Sequence, residues 1–284
     1  MKLLPKTAKI KSGKILVNGA DITDYTEKNM SWLRGELFSM VFQDPMTSLN
    51  PTITVGKQIG EAVRIHNKKM SRGQIRKRVI ELMQLVEIDR PEERIRQYPH
   101  EFSGGMRQRA VMAIALAGNP KILFADEPTT ALDVTIQAQI LDVFRRIQKK
   151  LEMATVFISH DLGVVAGVAD RVAVMYAGKI VEIGTAEEIF YDPRHPYTWG
   201  LLQSLPVLAE GKEWLPTLPG MPPTLIHPPK GDAFAERNVY AMRIDYEKEP
   251  PMFRITDTHY AATWLLDERA PKVKVPMGGR RYGK

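Results

Sequence analysis

Short apolar runs alternate along the chain with longer segments that have helical periodicity. The runs at 37–42, 122–126 and 155–158 have the length and composition of buried strands of a parallel sheet. After Asp133, a favourable N-cap, apolar residues recur at helical spacing: Ile136, Ile140, Val143, Phe144 and Ile147. This alternation predicts an α/β fold with a largely parallel sheet and right-handed crossovers.

The first 43 residues contain further predicted elements. Residues 14–19 form a predicted strand that ends in an Asn-Gly turn, and 26–34 form a helix with Thr26 as its N-cap. Leu3 and Leu4, followed by Pro5, are interpreted as the end of a helix.

Three helices are predicted between the strands at 37–42 and 122–126. The first spans 54–66, and the second follows Ser71, which forms a capping-box pattern with Gln74. The third begins near Gly104 and is stopped by Gly118-Asn119-Pro120.

The pattern changes in the second half of the chain. Two predicted strands, 171–176 and 179–183, are joined through Ala177-Gly178. Proline becomes frequent after residue 208, which indicates a linker into a small appendage. We therefore predict one domain over 1–208, a C-terminal extension over 209–284 and a mobile basic tail over 277–284.

Composition limits the classes of function. The formal net charge of +7 fits an anionic partner, either phosphate, nucleic acid or a membrane surface, or simply a surface of solvated lysines. The absence of cysteine excludes disulfides and cysteine-ligated zinc or iron–sulfur sites. No apolar run reaches about 18 residues, so no segment is predicted to span a bilayer.

Two acids, Asp126 and Glu127, end the predicted strand 122–126. Ligands of open α/β sheets bind at the carboxyl ends of strands, so these acids point to a site. An Asp there can hold Mg²⁺ on nucleotide phosphates, and a neighbouring Glu can orient or deprotonate a water. The alternative is a strand end with two solvated acids.

Three more groups of polar residues stand at the ends of predicted elements. Gln43 and His160 each end a strand, and Ser103-Gly104-Gly105 opens a helix. A Ser followed by two glycines exposes backbone N–H groups at a positive helix terminus, which favours an anion. Each feature alone could be a turn residue, an N-cap or a core histidine, but together with the two acids they favour phosphate chemistry.

These motifs resemble those of the ATP-binding subunits of ABC transporters, and the resemblance covers residues 13–190. The matching motifs are the Q-loop at Gln43, the signature at Ser103-Gly104-Gly105-Met106, Walker B at Phe124-Ala125-Asp126-Glu127, the D-loop at Ala131-Leu132-Asp133 and the switch histidine at His160. Met106 departs from the family, which more often has Gln there.

The resemblance implies a P-loop NTPase-like (RecA-like) parallel sheet with a helical subdomain at about 44–117. It also implies ATP and Mg²⁺. Asp126 and Gln43 would hold the metal, Glu127 would be the general base, and His160 would contact the γ-phosphate. The nucleotide-binding residues in this interpretation are Gln43, Ser103, Gly104, Gly105 and Asp133.

A finer resemblance is to the oligopeptide/dipeptide/nickel importer branch. It is carried by residues 43–51, 195–198 and the extension with Glu249-Pro250-Pro251. Many relatives have a cysteine cluster for iron–sulfur ligation in that extension. Asn238 and Asp245 stand at matching positions here, so no cluster is expected. Peptide and nickel both remain open as substrates.

The resemblance also implies partners and a location. Transmembrane permease subunits would dock on the helical block, which is the helical subdomain at about 44–117. A second ATP-binding subunit, identical or different, would complete a dimer. An extracellular substrate-binding protein would act indirectly, and no nucleic acid is expected. The subunit would be peripheral, on the cytoplasmic face of the cell membrane.

No G-x-x-x-x-G-K-[S/T] phosphate-binding loop is present in the sequence. The family would have this loop just before residue 1, so we expect an N-terminally truncated sequence that alone binds ATP weakly. The alternative is a degenerate, non-catalytic subunit that supplies its signature motif to a partner. A soluble ABC protein of repair or translation is a third class, which residues 195–284 disfavour.

Overall fold

The computed structural model describes residues 1–5, 7–130, 132–205 and 218–276. The chain forms two compact units, Met1–His160 and Asp161–Lys284. The predicted linker prolines Pro206 and Pro216 and the predicted tail at 277–284 lie outside the described residues. The division into 1–208 and 209–284 stays a prediction.

A three-stranded parallel sheet forms the centre of the first unit. Its strands are β3 (Phe38–Val41), β4 (Ile122–Asp126) and β5 (Ala154–Ile158), in the spatial order β3-β4-β5. Asp126 pairs with Ile158, so the carboxyl ends of β4 and β5 are level. This confirms the predicted parallel sheet, and it brings the residues after each strand to one edge.

The N-terminal segment forms a small hairpin and a helix. β1 (Leu16–Val17) and β2 (Ala20–Asp21) are antiparallel, and helix α1 (Glu27–Glu36) begins after Thr26, whose side chain accepts from the Asn29 N–H. The prediction of a helix end at Leu3 and Leu4 is wrong, since residues 1–5 are not helical. A residue before proline is disfavoured in the helical region, which is consistent with this result at Leu4.

Helices fill the segment between β3 and β4. They are α2 (Pro45–Ser48), α3 (Val55–His66), α4 (Arg72–Leu85), α5 (Pro91–Arg94) and α6 (Gly104–Ala115), with a 3₁₀ turn at Pro99–Glu101. The predicted capping box between Ser71 and Gln74 is present. Apolar side chains of α3, α4, α6 and α7 (Val134–Leu151) bury one another in a shared core that includes Ile59, Leu82, Met112 and Ile140.

The second unit combines short helices with an antiparallel sheet. Its elements are α8 (Leu162–Val168), β6 (Arg171–Tyr176), β7 (Lys179–Thr185), α9 (Ala186–Tyr191), α10 (Pro196–Gln203), α11 (Arg243–Glu247), β8 (Phe253–Arg254) and β9 (Tyr260–Ala261), with 3₁₀ turns at Ala235–Arg237 and Trp264–Leu266. The strand order is β6-β7-β9-β8.

The two predicted strands at 171–176 and 179–183 form a hairpin. Ala177 and Gly178 both have positive φ, 48° and 78°, which suits a tight two-residue turn. These strands therefore belong to an antiparallel sheet, which the α/β pattern did not predict. In the described part of the chain, no helix is both long and apolar enough to cross a membrane.

Candidate active site

Glu127 follows directly after β4 with a left-handed backbone, φ 44°. Its N–H donates to the Ile158 carbonyl of β5 at 3.0 Å. The chain then turns through buried Pro128 and Thr129, and the Thr130 N–H donates to the Glu127 carbonyl at 3.3 Å. Left-handed conformations are uncommon outside glycine, so sheet and turn together hold Glu127 in an unusual geometry.

Three side chains contact the Glu127 carboxylate. Gln43 Nε2 and Thr130 Oγ1 both donate to Oε2, at 2.8 and 3.0 Å. His160 Nδ1 lies 3.0 Å from Oε1. Gln43 comes from the end of β3 and His160 from the end of β5, so the parallel sheet brings three of the predicted site residues together.

These contacts stabilise the ionised form of Glu127. The hydrogen bond with His160, followed by that from Thr130, holds the pKa of the carboxyl below its ordinary value, and Gln43 contributes further. An ionised carboxylate can accept a proton from a water molecule, which is the chemistry expected of a general base.

Thr130 was not among the residues predicted from the sequence. The signal that could have revealed it is its position three residues after Glu127, with Pro128 between them. A four-residue turn brings its last residue back beside its first. A hydroxyl at the last position can then donate to a carboxylate at the first.

The signature motif forms a second cluster with the segment before α7. Ser103 caps α6, accepting from the Met106 N–H at 3.3 Å. A Cβ on Gly104 would lie 3.5 Å from Leu132, and one on Gly105 would lie 2.7 Å from Ile136. Residue 105 therefore has no room for a side chain unless Ile136 moves.

Asp133, the last D-loop residue, lies within this second cluster. Its Oδ1 accepts from the Ile136 N–H at 2.9 Å and so caps α7. Ala131 of the D-loop lies outside the described residues. The structure therefore gives Asp133 an observed capping role, and its predicted role at the nucleotide stays a prediction.

The oxygen ligands at this edge fit a magnesium–nucleotide complex. Asp126, half-buried at the end of β4, and the amide oxygen of Gln43 are hard donors, which Mg²⁺ prefers. Among the residues that the structure describes, no group of three or more His, Cys, Asp or Glu could hold a metal. Mg²⁺ commonly takes one or two carboxylates and completes its shell with phosphates and water, so this sparse donor set suits it.

Asn238 and Asp245, the two positions compared with cysteines, are buried in the second unit. The Asn238 side chain accepts from the Tyr240 N–H at 3.0 Å, and Asp245 Oδ2 accepts from the Met242 N–H at 2.6 Å. Both side chains thus stabilise local turns.

Comparison with known proteins gives two family matches. The profile described as "ABC transporter" matches residues 1–130, and that described as "Oligopeptide/dipeptide transporter, C-terminal region" matches residues 181–244. The chain also resembles a solved dimeric ATP-binding cassette, MJ0796, bound to ADP and phosphate. That likeness has a TM-score of 0.55 and 25% identity, over 63% of this chain and 75% of the cassette.

Curated relatives match at much higher identity. The oligopeptide transport ATP-binding protein OppD of Bacillus subtilis is 61% identical, over 97% of this chain and 77% of the relative. The dipeptide transport ATP-binding protein DppD of Lactococcus lactis is 58% identical, over 96% and 78%. With an α/β cassette fold and the Q-loop, Walker B and switch-histidine residues gathered at one sheet edge, the chain belongs to the family of ATP-binding subunits of ABC transporters.

Proposed function

We propose that this chain supplies Glu127 as the general base for ATP hydrolysis in an ATP-binding subunit of a peptide importer. The observation that carries the proposal is the Glu127 carboxylate at the carboxyl edge of the sheet, held between Gln43 and His160. The hydrogen bonds that lower its pKa favour the ionised form, which can accept the proton of an attacking water, and loss of the bonds from His160 and Gln43 would make the carboxylate a stronger base.

The neighbouring residues have complementary roles in this proposal. Asp126, with the Gln43 amide oxygen, would hold Mg²⁺, which would neutralise phosphate charge when bound. His160 would turn from Glu127 to the γ-phosphate, and Gln43 from Glu127 to the metal and the water. The three-way contact at Glu127 is therefore a resting arrangement that must open before hydrolysis.

The signature cluster would serve a second ATP-binding subunit. Ser103, Gly104 and Gly105 present the N-terminus of the 12-residue helix α6, a favourable site for phosphate. Asp133 lies in the same cluster and would couple the two nucleotide sites of the dimer. The dimeric cassette found among the solved structures supports this arrangement.

A groove on the helical block supports a permease docking site. It has a volume of about 670 Å³, and its apolar floor includes Ile53, Ile75, Val79 and Ile95. Five cations line it against the single carboxylate of Glu61: Lys57, Arg64, Arg72, Arg76 and Arg96. An amphipathic segment of a permease with acidic residues beside its apolar face would complement this surface.

Peptide is the proposed cargo because the relatives named above are oligopeptide and dipeptide transport proteins. Neither of these two relatives is named as a nickel transport protein, so nickel as the cargo has less support. The proposed partners are permease subunits in the membrane and, indirectly, an extracellular substrate-binding protein. This places the subunit on the cytoplasmic face of the membrane, where ATP is available.

The test is a Glu127→Gln substitution in the assembled transporter. Removal of the base should lower ATP turnover by about 100-fold or more and leave ATP bound, measured as retained radiolabelled nucleotide after gel filtration. Glu152→Gln, an exposed acid at the end of α7, is the matched control and should turn over normally. Undiminished turnover in Glu127→Gln would refute the role as base and favour the alternative of a subunit that only donates its signature motif.

A further inference from the structure

Three side chains contact the Glu127 carboxylate, but they lie at very different separations from Glu127 along the chain. Gln43 and His160 are 84 and 33 residues away in sequence, and they reach Glu127 from the ends of other strands. Thr130 is three residues away, in the same turn. Motion of the Q-loop or of the segment after β5 can therefore remove two donors and leave the third.

The turn itself fixes Thr130 relative to Glu127. The Thr130 N–H donates to the Glu127 carbonyl, and the Leu132 N–H donates to the Thr129 carbonyl at 3.1 Å. Pro128 and Thr129 are buried, and proline restricts the backbone between the two residues. The backbone of the turn therefore keeps Thr130 within reach of the Glu127 carboxylate independently of Gln43 and His160.

We propose that Thr130 is a positioning residue that holds Glu127 in its hydrolytic orientation after Gln43 and His160 have turned to the nucleotide. This inference rests on the proposed function of Glu127 as the general base. Thr130 Oγ1 binds Oε2, which leaves Oε1, the oxygen now facing His160, free to accept a proton from water.

A hydroxyl suits this task for two reasons. It donates a hydrogen bond without adding a charge that would compete with Mg²⁺ or phosphate. It also holds one oxygen of the Glu127 side chain, which can otherwise rotate about three bonds. A small loss of orientation at a reacting group lowers the reaction rate substantially.

The test compares Thr130→Val, which keeps the shape but removes the donor, with Thr130→Ser, which keeps the donor. In the assembled transporter, Thr130→Val should lower kcat for ATP about tenfold or more, with the KM for ATP changed less than about twofold. Thr130→Ser should keep kcat within about twofold of the unchanged protein. Thr130 is exposed, so neither substitution is expected to disturb folding, which a thermal melt checks.

A second readout does not depend on turnover. Crystal structures of the two variants, each in a Gln43→Ala/His160→Ala background that removes the other two contacts, should show the Glu127 side chain displaced in Thr130→Val and retained in Thr130→Ser. A retained Glu127 rotamer in Thr130→Val would overturn the proposal, and so would an unchanged kcat whatever the rotamer. If Glu127→Gln abolishes turnover but Thr130→Val does not, this inference fails alone. If Glu127→Gln turns over normally, the proposed function fails first.

Discussion

Nδ1 of His160 lies 3.0 Å from Oε1 of Glu127. A hydrogen bond at that distance needs one proton between the two atoms. The hydrogen bonds from His160 and Thr130 lower the pKa of Glu127, so its carboxyl is ionised near neutral pH and has no proton to donate. An ionised carboxylate can only accept, so we expect the proton of this hydrogen bond on His160 Nδ1.

This relationship predicts the protonation state of the histidine ring. Long-range ¹H–¹⁵N correlation spectra should show a protonated Nδ1 for His160 in the nucleotide-free protein. Glu127→Gln is the matched variant, because a glutamine amide can donate to the ring and permits the other tautomer. An unprotonated Nδ1 in the unchanged protein would contradict the hydrogen bond described here.

Gly104→Ala separates any folding role of Gly104 from the proposed role of the signature motif at the nucleotide. A Cβ there would lie 3.5 Å from Leu132, an ordinary contact, so the melting temperature should change by less than about 4 °C. If phosphate approaches the N-terminus of α6 as proposed, the methyl group would intrude there and turnover of the assembled transporter should fall about tenfold or more.

Gly73→Ala is the control for this substitution. Gly73 lies in the first turn of α4, with open space around its added Cβ, and alanine there should be neutral or slightly stabilising with normal turnover. Full turnover in Gly104→Ala would exclude a close approach of ligand at that residue.

Much of the candidate site follows from general rules about parallel sheets. Gln43, Glu127 and His160 each follow an apolar strand, and carboxyl ends of parallel strands share one edge, so their proximity is predictable. The partnership of Thr130 with Glu127 is indicated only by their spacing around Pro128, since no residue preference indicates the left-handed backbone at Glu127.

The second unit shows a different limit of sequence reasoning. Glu182 lies in β7 and is fully buried, yet its partner His259 is 77 residues away. Hydrophobic periodicity assigns a face to each residue but does not identify the long-range partner of a buried polar side chain. The antiparallel pairing of β7 with β9 was also not predicted. β9 is only two residues long, which is too short for a periodic pattern to indicate a strand.

Glu182 should be essential to the stability of the second unit. Its carboxylate accepts from the backbone N–H groups of Arg194 at 2.6 Å and His195 at 3.1 Å, and it lies 2.8 Å from His259 Nε2. Glu182→Ala leaves these buried donors unpaired and should lower the free energy of unfolding by about 3–5 kcal/mol. Urea denaturation followed by tryptophan fluorescence measures this.

The matched control for Glu182 is Glu187→Ala, an exposed acid in α9, which should change stability by less than about 0.5 kcal/mol. Equal unfolding midpoints for the two variants would show that the buried carboxylate contributes no net stability.

Glu188 predicts a pH dependence of stability. The hydrogen bond from the Thr256 hydroxyl, followed by that from the Thr185 N–H, lowers the pKa of Glu188 from 4.5 to about 2. A carboxyl with a depressed native pKa stabilises the fold fully above about pH 4.5, and this contribution is lost as the pH falls toward about 2.

Thr256→Val removes the largest cause of that shift, and Thr256→Ser retains it. The valine variant should be less stable than the serine variant at pH 7, and the difference should shrink between about pH 4.5 and 2. Urea midpoints at pH 7, 4.5 and 3 measure this. A difference that is the same at all three values would exclude Glu188 as the titrating group.

Charge reversal in the groove tests the proposed docking of the permease. Arg72→Glu with Arg76→Glu replaces two of the five lining cations and should reduce copurification of the permease about tenfold or more. Arg72 is the first residue of α4. A negative charge at this end interacts favourably with the helix dipole, so the helix should remain intact. Lys149→Glu, an exposed change in the last turn of α7, is the control and should leave copurification unchanged. Retention of the permease by the double variant, at low and at high salt, would mean that the groove is not its docking surface.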